Sequence, residues 1–382
     1  MKKPVLEAIA IDRLSLESTL QDEEWFAQIT SQELSEEVME RLVNPEEVFP
    51  AQRSVMAIHW HPEFVPLPLI EERIRKMYPG STNTLVIPTQ HNVLVELGDY
   101  VGCEVDCYSR EFKRKVQLLA HFKSGARMDA ATTFRSMLEH TFSYRAGQLF
   151  EFLDALILSS GEPLRLKAAH KVGADGRLIG LARVYATRLK AMILAHLEDI
   201  PRDFVRNKLV NWYFEELKAL YDDALIDHVQ SYIREVKNLV KLGFDPEHFY
   251  ETQEIIEEVR GLGGGIIIPH PEQFWPILLA DYDVDGYEVW NPQSYDFTDF
   301  LIHVVTQKNK KAAMGERPLL ITMGDDCHMG VKTRPLDRQD PVKAARQIGL
   351  QPPWEDPMIK KRLGVGNITR DGMIDAYRAR LG

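Results

Sequence analysis

The stretch Ser54-Val55-Met56-Ala57-Ile58-His59-Trp60-His61 decides how the rest of the chain is read: a short apolar run of strand-forming residues ends in two histidines one residue apart. Side chains two apart on a strand point to one side, so both imidazoles can serve a single ion. A helix-patterned stretch from Leu67 to Met77 follows. Six further runs of the same texture recur at Leu85 to Ile87, Val101 to Val105, Val116 to Ala120, Gly265 to Ile268, Gly286 to Trp290 and Pro318 to Met323. Several are continuously apolar rather than alternating. Strands covered on both faces read this way, which predicts seven buried, parallel strands in an α/β barrel.

Around these runs the chain of 382 residues is helical in pattern. The predicted organisation is a helical amino-terminal arm over 1–50, a first barrel part over 51–124, a helical insertion or cap over 125–260, a second barrel part over 261–335 and a helical tail over 336–382. Within the insertion, Leu178, Leu181, Tyr185, Leu189, Met192 and Ile193 stand at helical spacing, and Asp340-Pro341 reads as a helix start in the tail. Between Pro163 and Lys208 there are ten basic residues and four acidic ones, in a chain whose net charge is −11. A solvated helical face is the expected reading of that stretch, ahead of a cap that attracts an anionic substrate. The overall negative charge disfavours a nucleic-acid or anionic-membrane binder. No apolar run approaches the ~20 residues that cross a bilayer, and Met1-Lys2-Lys3-Pro4 leads into an acidic mixed segment rather than a signal-peptide core, so the expectation is a cytoplasmic protein. Cys103, Cys107 and Cys327 cannot close a disulfide framework and are expected as reduced, packed thiols.

The ends of the strands carry the chemistry. After His59 and His61, the second run ends in Pro88-Thr89-Gln90-His91-Asn92, the third contains Gly102-Cys103-Glu104, and the fourth ends in Ala120-His121. The fifth ends in Pro269-His270-Pro271, and the seventh in Gly324-Asp325-Asp326-Cys327-His328, where Asp326 and His328 share a face. Six of seven strand ends thus hold imidazoles or carboxylates, at the rim where parallel barrels build their sites. Many imidazoles with few carboxylates suit Zn²⁺, Mn²⁺ or Fe²⁺ better than Mg²⁺ or Ca²⁺. There are more ligands than one tetrahedral ion uses, which points to two or three ions with Glu104 bridging them. The sixth run ends in Trp290-Asn291-Pro292, without a metal-type side chain.

This ordered set resembles the polymerase and histidinol phosphatase (PHP) family of metal-dependent phosphoesterases, over residues 54–124 and 262–330. The matching motifs are H-x-H at His59 and His61, a T-D-H-N-like turn with His91, G-x-E with Glu104, H-P at His270, and G-x-D-x-H with Asp326 and His328. The chain departs from the pattern at Gln90, where the family has Asp, and at Gln117, where the family often has His; either His121 takes over that role from the strand end or the site loses a ligand. Glu63, after the first motif, reads as a loop glutamate ahead of a substitute ligand. The resemblance implies a distorted seven-stranded (β/α) barrel of PHP type with a multinuclear site.

It also implies hydrolysis of a small phosphorylated substrate, a phosphomonoester or phosphodiester, by a metal-activated hydroxide. His59, His61, His91, Glu104, His121, His270, Asp326 and His328 are the expected ligands. Glu104, Asp326 and His328 are the expected catalytic groups, with His328 either a ligand or a proton donor to the leaving alkoxide. Lys332 and Arg334 are the expected phosphate clamp. Two rival readings stay open: a degenerate fold that binds metal or ligand without turnover, and a C–N hydrolase of amidohydrolase type. The second would call for an eighth strand and a lone final Asp. A nuclease is disfavoured because no aromatic-interleaved strand accompanies the basic stretch.

Overall fold

The computed structural model describes residues 3–312 and 317–381. The chain divides into two compact units, one built from the residues up to Glu33 with Ser143–Asp245, the other from Leu34–Phe142 with Pro246 onward.

The first unit is helical. Its helices include Leu20–Thr30, Glu162–Val172, Gly176–Ala195, Lys208–Glu216 and Asp223–Gly243. The six apolar positions read from the sequence, Leu178 through Ile193, are all buried on the Gly176–Ala195 helix. Arg188 on that helix is buried too, donating to the carbonyl of Ser15 and to Asp22 Oδ2 at 3.0 Å, while the Tyr213 hydroxyl donates to Asp22 Oδ1 at 2.6 Å. These bonds, with those from Arg177 to the carbonyls of Leu6, Glu7 and Ile9, tie the amino-terminal segment to the helices of the insertion.

The second unit carries the strands. All seven expected runs form strands: β1 (Ser54–Ala57), β3 (Asn83–Val86), β5 (Tyr100–Ser109), β6 (Arg114–Lys123), β7 (Gly265–Ile268), β8 (Gly286–Trp290) and β9 (Leu320–Met323). Three short ones join them: β2 (Trp60–His61), β4 (Val95–Leu97) and β10 (Cys327–His328). Their pairing differs from the expected parallel barrel. β1 pairs with β3 and β2 with β10, both in parallel, while the remaining six form one sheet in the order β4-β5-β6-β7-β8-β9. That sheet is antiparallel from β4 to β7 and parallel from β7 to β9. Among the described residues the three sheets are not hydrogen-bonded into a closed barrel, and the architecture is a mixed α/β one.

The reason lies in β5 and β6. A short turn in which Lys113 takes φ of 51° folds them back on each other as a ten-pair ladder. They looked parallel in sequence because both faces are covered. Val101, Cys103, Val105 and Cys107 pack with Val116, Leu118, Ala120 and Phe122 into an apolar core that also holds Phe134, Ile255, Val259 and Trp290. The alternate residues Gly102, Glu104 and Asp106 face the other way. The tail closes the far side: Ile374 and Tyr377 of the helix Arg370–Arg378 pack on Met56, Leu85, Ile267 and Leu320. Gln351 Nε2 donates to the carbonyls of Met56 and Met323. The three cysteines are free and buried. Among the described residues no helix is long and apolar enough to cross a membrane.

Candidate metal centre

The pairing of β2 with β10 sets His61 opposite His328 and Trp60 opposite Cys327. Trp60 and Cys327 sink into an apolar cluster with Val65, Ile70 and Met329, so strand alternation turns the two imidazoles to the opposite side. Their rings stack with centroids 4.2 Å apart, and His91, bridged to Glu104, stacks on His61 at 4.4 Å. Six non-glycine residues among those described have positive φ, and four of them, Glu63, Asn92, His270 and Asp326, lie in these turns. Such conformations cost about 1–3 kcal/mol each and gather where the surrounding structure enforces a functional geometry.

Two carboxylates organise the rings. Asp326 Oδ1 lies 3.7 Å from His59 Nε2, 3.5 Å from His61 Nε2 and 3.3 Å from His328 Nε2. Glu104 Oε2 lies 3.6 Å from His61 Nε2 and 2.6 Å from His91 Nδ1, while its Oε1 is 3.8 Å from His270 Nε2. His61 Nε2 therefore stands between the two. Ligand atoms of His61, His91 and His328 fall within 4.8 Å of one another, and so do those of His59, His61 and Glu104.

Burial and charge divide the protons unevenly. Burial opposes protonation of His59, but the neighbouring Glu288 carboxylate outweighs it and raises the imidazole to about 10. His61 is held well below its ordinary value by burial, reinforced by His328 and His91. Burial alone would raise Glu104 and Asp326, yet the surrounding imidazoles hold both carboxyls well below the usual carboxylate range: His91 and His270 for Glu104, His328 and His61 for Asp326.

These residues fit a divalent ion. His59 Nε2 and both ring nitrogens of His61 are buried without a hydrogen-bond partner, as is His270 Nδ1. Polar atoms left so in an interior cost roughly 1–3 kcal/mol each. Imidazoles grouped around carboxylates are the donor set of Zn²⁺, Mn²⁺ or Fe²⁺.

The structure adds residues that the strand-end motifs did not supply. Glu288, in the middle of β8, receives His59 Nδ1 at 2.8 Å and accepts from the His270 backbone N–H and from Asn291 Nδ2. Carboxylates placed behind ligating histidines fix ring orientation and tautomer. Asn291, beyond forming its turn, thus holds Glu288. Gly324 makes room for the pair, since a Cβ there would stand 1.5 Å from Glu288 Oε1. Asp326 Oδ2, the oxygen turned away from the rings, receives Arg346 and Gln293, each at 2.6 Å. Glu63 reaches the centre from its loop, its Oε1 3.4 Å from His328 Nδ1, and its backbone N–H donates to Gln90. Gln90, in the place of an acid, secures that loop.

Two expected site residues go elsewhere. His121 is buried, its Nε2 2.9 Å from the Ile58 carbonyl and its Nδ1 2.6 Å from the Tyr377 hydroxyl. Because β6 runs antiparallel to β5, its end carries His121 past Glu104 to pair with Gly102 and with Gly265, the first residue of β7. Burial, partly offset by the Ile58 carbonyl, pushes it down to about 3. Lys332 is turned away by the helical turn Met329–Val331, and its Nζ donates to the Ala344 carbonyl in a separate cavity. Arg334 is half-buried.

No family model and no curated protein matches the chain. Among solved structures it is similar to a "putative metal-dependent phosphoesterase" from Bifidobacterium adolescentis, at 16% identity and a TM-score of 0.40, over 77% of this chain and 94% of that one. At so remote a likeness, what the centre does is carried by its own side chains.

Proposed function

We propose that this protein is a metal-dependent hydrolase of a small phosphate ester. One observation carries the reading: His59 and His61 meet Glu104 and Asp326 in a buried group where His59 Nε2 and both ring nitrogens of His61 have no hydrogen-bond partner to satisfy them. The order of the motifs, with its PHP-like sequence, supplies the reaction class. His59, His61, His91, Glu104, His270, Asp326 and His328 would hold two or three divalent ions. Such ions, when bound, supply a nucleophile at neutral pH and neutralise charge that builds on phosphoryl oxygens.

The chain's own residues prepare for this. Glu288 accepts the His59 Nδ1 proton and leaves Nε2 to face inward. Arg346 and Gln293 occupy one oxygen of Asp326 and leave the other toward the imidazoles. Arg334 is the proposed phosphate clamp, Lys332 having turned to other work.

Elemental analysis of freshly purified protein, with phosphate release from p-nitrophenyl phosphate and bis-p-nitrophenyl phosphate, tests the reading. The wild type should hold zinc, manganese or iron and cleave at least one ester. His61→Ala and Asp326→Ala should lose metal and turnover together. Full metal content and full turnover in both variants sinks it.

A further inference from the structure

We infer that the second unit contains a separate binding site for a small organic phosphate, in a cavity of about 340 Å³ walled by Arg41, Arg73 and Lys332. Three cations converge there, and two are nearly withdrawn from solvent, Arg73 at 4% and Lys332 at 7% exposure. Each is anchored to neutral oxygens: Arg41 to the carbonyls of Lys332 and Arg334, Arg73 to those of Arg41 and Leu42 and to Gln347 Oε1, Lys332 to that of Ala344. Among the described residues none of the three has a carboxylate within the 4.0 Å of an ion pair. Glu46 and Glu47 also line the cavity but are exposed and stand beyond that distance.

This is an uncommon balance of charge. Buried cations ordinarily come with a paired anion, because a desolvated charge without one costs several kcal/mol. The Nε atoms of Arg41 and Arg73 are buried with no hydrogen-bond partner. Burial holds both Arg73 and Lys332 below their ordinary values, offset only in part by carboxylates beyond ion-pair distance such as Glu46. An incoming oxyanion supplies the missing charge. Guanidinium forks suit phosphate oxygens, and two of them with an ammonium can serve a terminal phosphate from several sides. The volume exceeds that of a bare phosphate and enters the range of small-ligand pockets. Leu336, Pro341 and Ala344 give the rest of the ligand an apolar wall.

The site is distinct from the metal centre. The cavity shares no residue with the ligand group, although Lys332 follows His328 by four positions and Ala345 precedes Arg346.

Titration calorimetry with glucose 6-phosphate and with orthophosphate tests the site in four full-length proteins: wild type, Lys332→Gln, Leu336→Glu, and the double variant His59→Ala/His61→Ala. Leu336 is 66% exposed, so a carboxylate there adds repulsion at the cavity wall without disturbing the core. The wild type and the metal-centre variant should bind glucose 6-phosphate alike. Lys332→Gln and Leu336→Glu should each bind about tenfold more weakly, the loss expected for one charge-assisted contact. Orthophosphate should bind at the same place but less tightly, since it leaves the apolar wall uncovered. No heat of binding at millimolar ligand overturns the site, as does binding that survives in both cavity variants. Binding that disappears only in the metal-centre variant assigns the phosphate to that centre and also overturns it. Because the metal-centre variant abolishes turnover under the proposed function, its binding result does not depend on whether the protein is a phosphoesterase.

Discussion

In the helical unit, Pro163–Lys208 holds ten basic residues; in the strand-bearing unit, seven imidazoles and carboxylates crowd one side of β2 and β10. Both concentrations stand out in sequence, but their side chains are spent differently. Arg188 and Arg165 are buried on hydrogen bonds within the helical unit, Arg177 clamps three carbonyls, and Lys171 and Lys190 pair with Glu235 and Asp154. Arg165 and Arg188 are thus structural, while Lys171 and Arg177 make their bonds from an exposed face, as the solvated-face reading of the stretch expects. In the strand-bearing unit, by contrast, His59 Nε2 and both ring nitrogens of His61 are buried with no hydrogen-bond partner. Satisfied polar groups stabilise a fold, while buried groups left unsatisfied mark where something else is meant to bind.

Five substitutions sharpen or break this contrast. The largest effect is expected at Arg188→Ala, which leaves Asp22 buried without its cation and should cost about 3–5 kcal/mol in urea unfolding. Metal bound per folded molecule should not change; metal lost in proportion would erase the distinction between the units. Next comes Gly324→Ala, whose methyl group displaces the Glu288 carboxylate. Loss of a carboxylate behind a ligating histidine lowers metal affinity by about 10–100-fold. Glu288→Gln should reproduce that loss, and competition against a chelating dye measures both.

His121 gives a third, smaller effect that depends on pH. Unfolded, it takes a proton near 6.5; folded, only at about 3. The unfolded chain therefore binds more protons between those values, and this group's contribution to stability is present above 6.5 and lost as the pH falls through the window. The slope is about 1.4 kcal/mol per pH unit, and unfolding curves of His121→Gln between about pH 4 and 6.5 should lack it. Unchanged metal content in that variant would agree with the two hydrogen bonds that engage both ring nitrogens of His121 outside the ligand group. The smallest effect belongs to Arg183→Ala: this exposed member of the basic stretch should change stability by no more than about 0.5 kcal/mol.

Much of the second unit was legible because strands and ligands follow local rules. The seven runs are apolar enough to mark strands by themselves, and a one-residue spacing places His59 with His61 and Asp326 with His328. Strand direction is not local. An antiparallel hairpin covered on both faces, as β5 and β6 are, has the same continuous apolar texture as parallel strands, and so His121 reads as a ligand in sequence although both its ring nitrogens bond elsewhere. Glu288 did leave a signal, a lone carboxylate between Tyr287 and Val289 in a fully buried strand. Buried charge in such a place calls for a partner. Arg346 left none, since a cation in a tail segment reads as solvent-facing until the fold brings Asp326 to it. Gly324 is silent for a similar reason: the close approach it permits exists only after β8 and β9 have paired.

The rung that joins His61 to His328 also sets a timetable. Glu63 and His328 are 265 positions apart, and the whole of Ser143–Asp245 lies between them in the chain. Contacts of such separation close late, after local helices and hairpins have formed. During synthesis the imidazoles of β2 leave the ribosome long before β10 exists to meet them, and Arg346 comes later still. Under the proposed function, metal uptake by a growing chain would mark completed folding: a nascent protein stalled after His328 would hold every proposed ligand but lack the guanidinium that fixes Asp326.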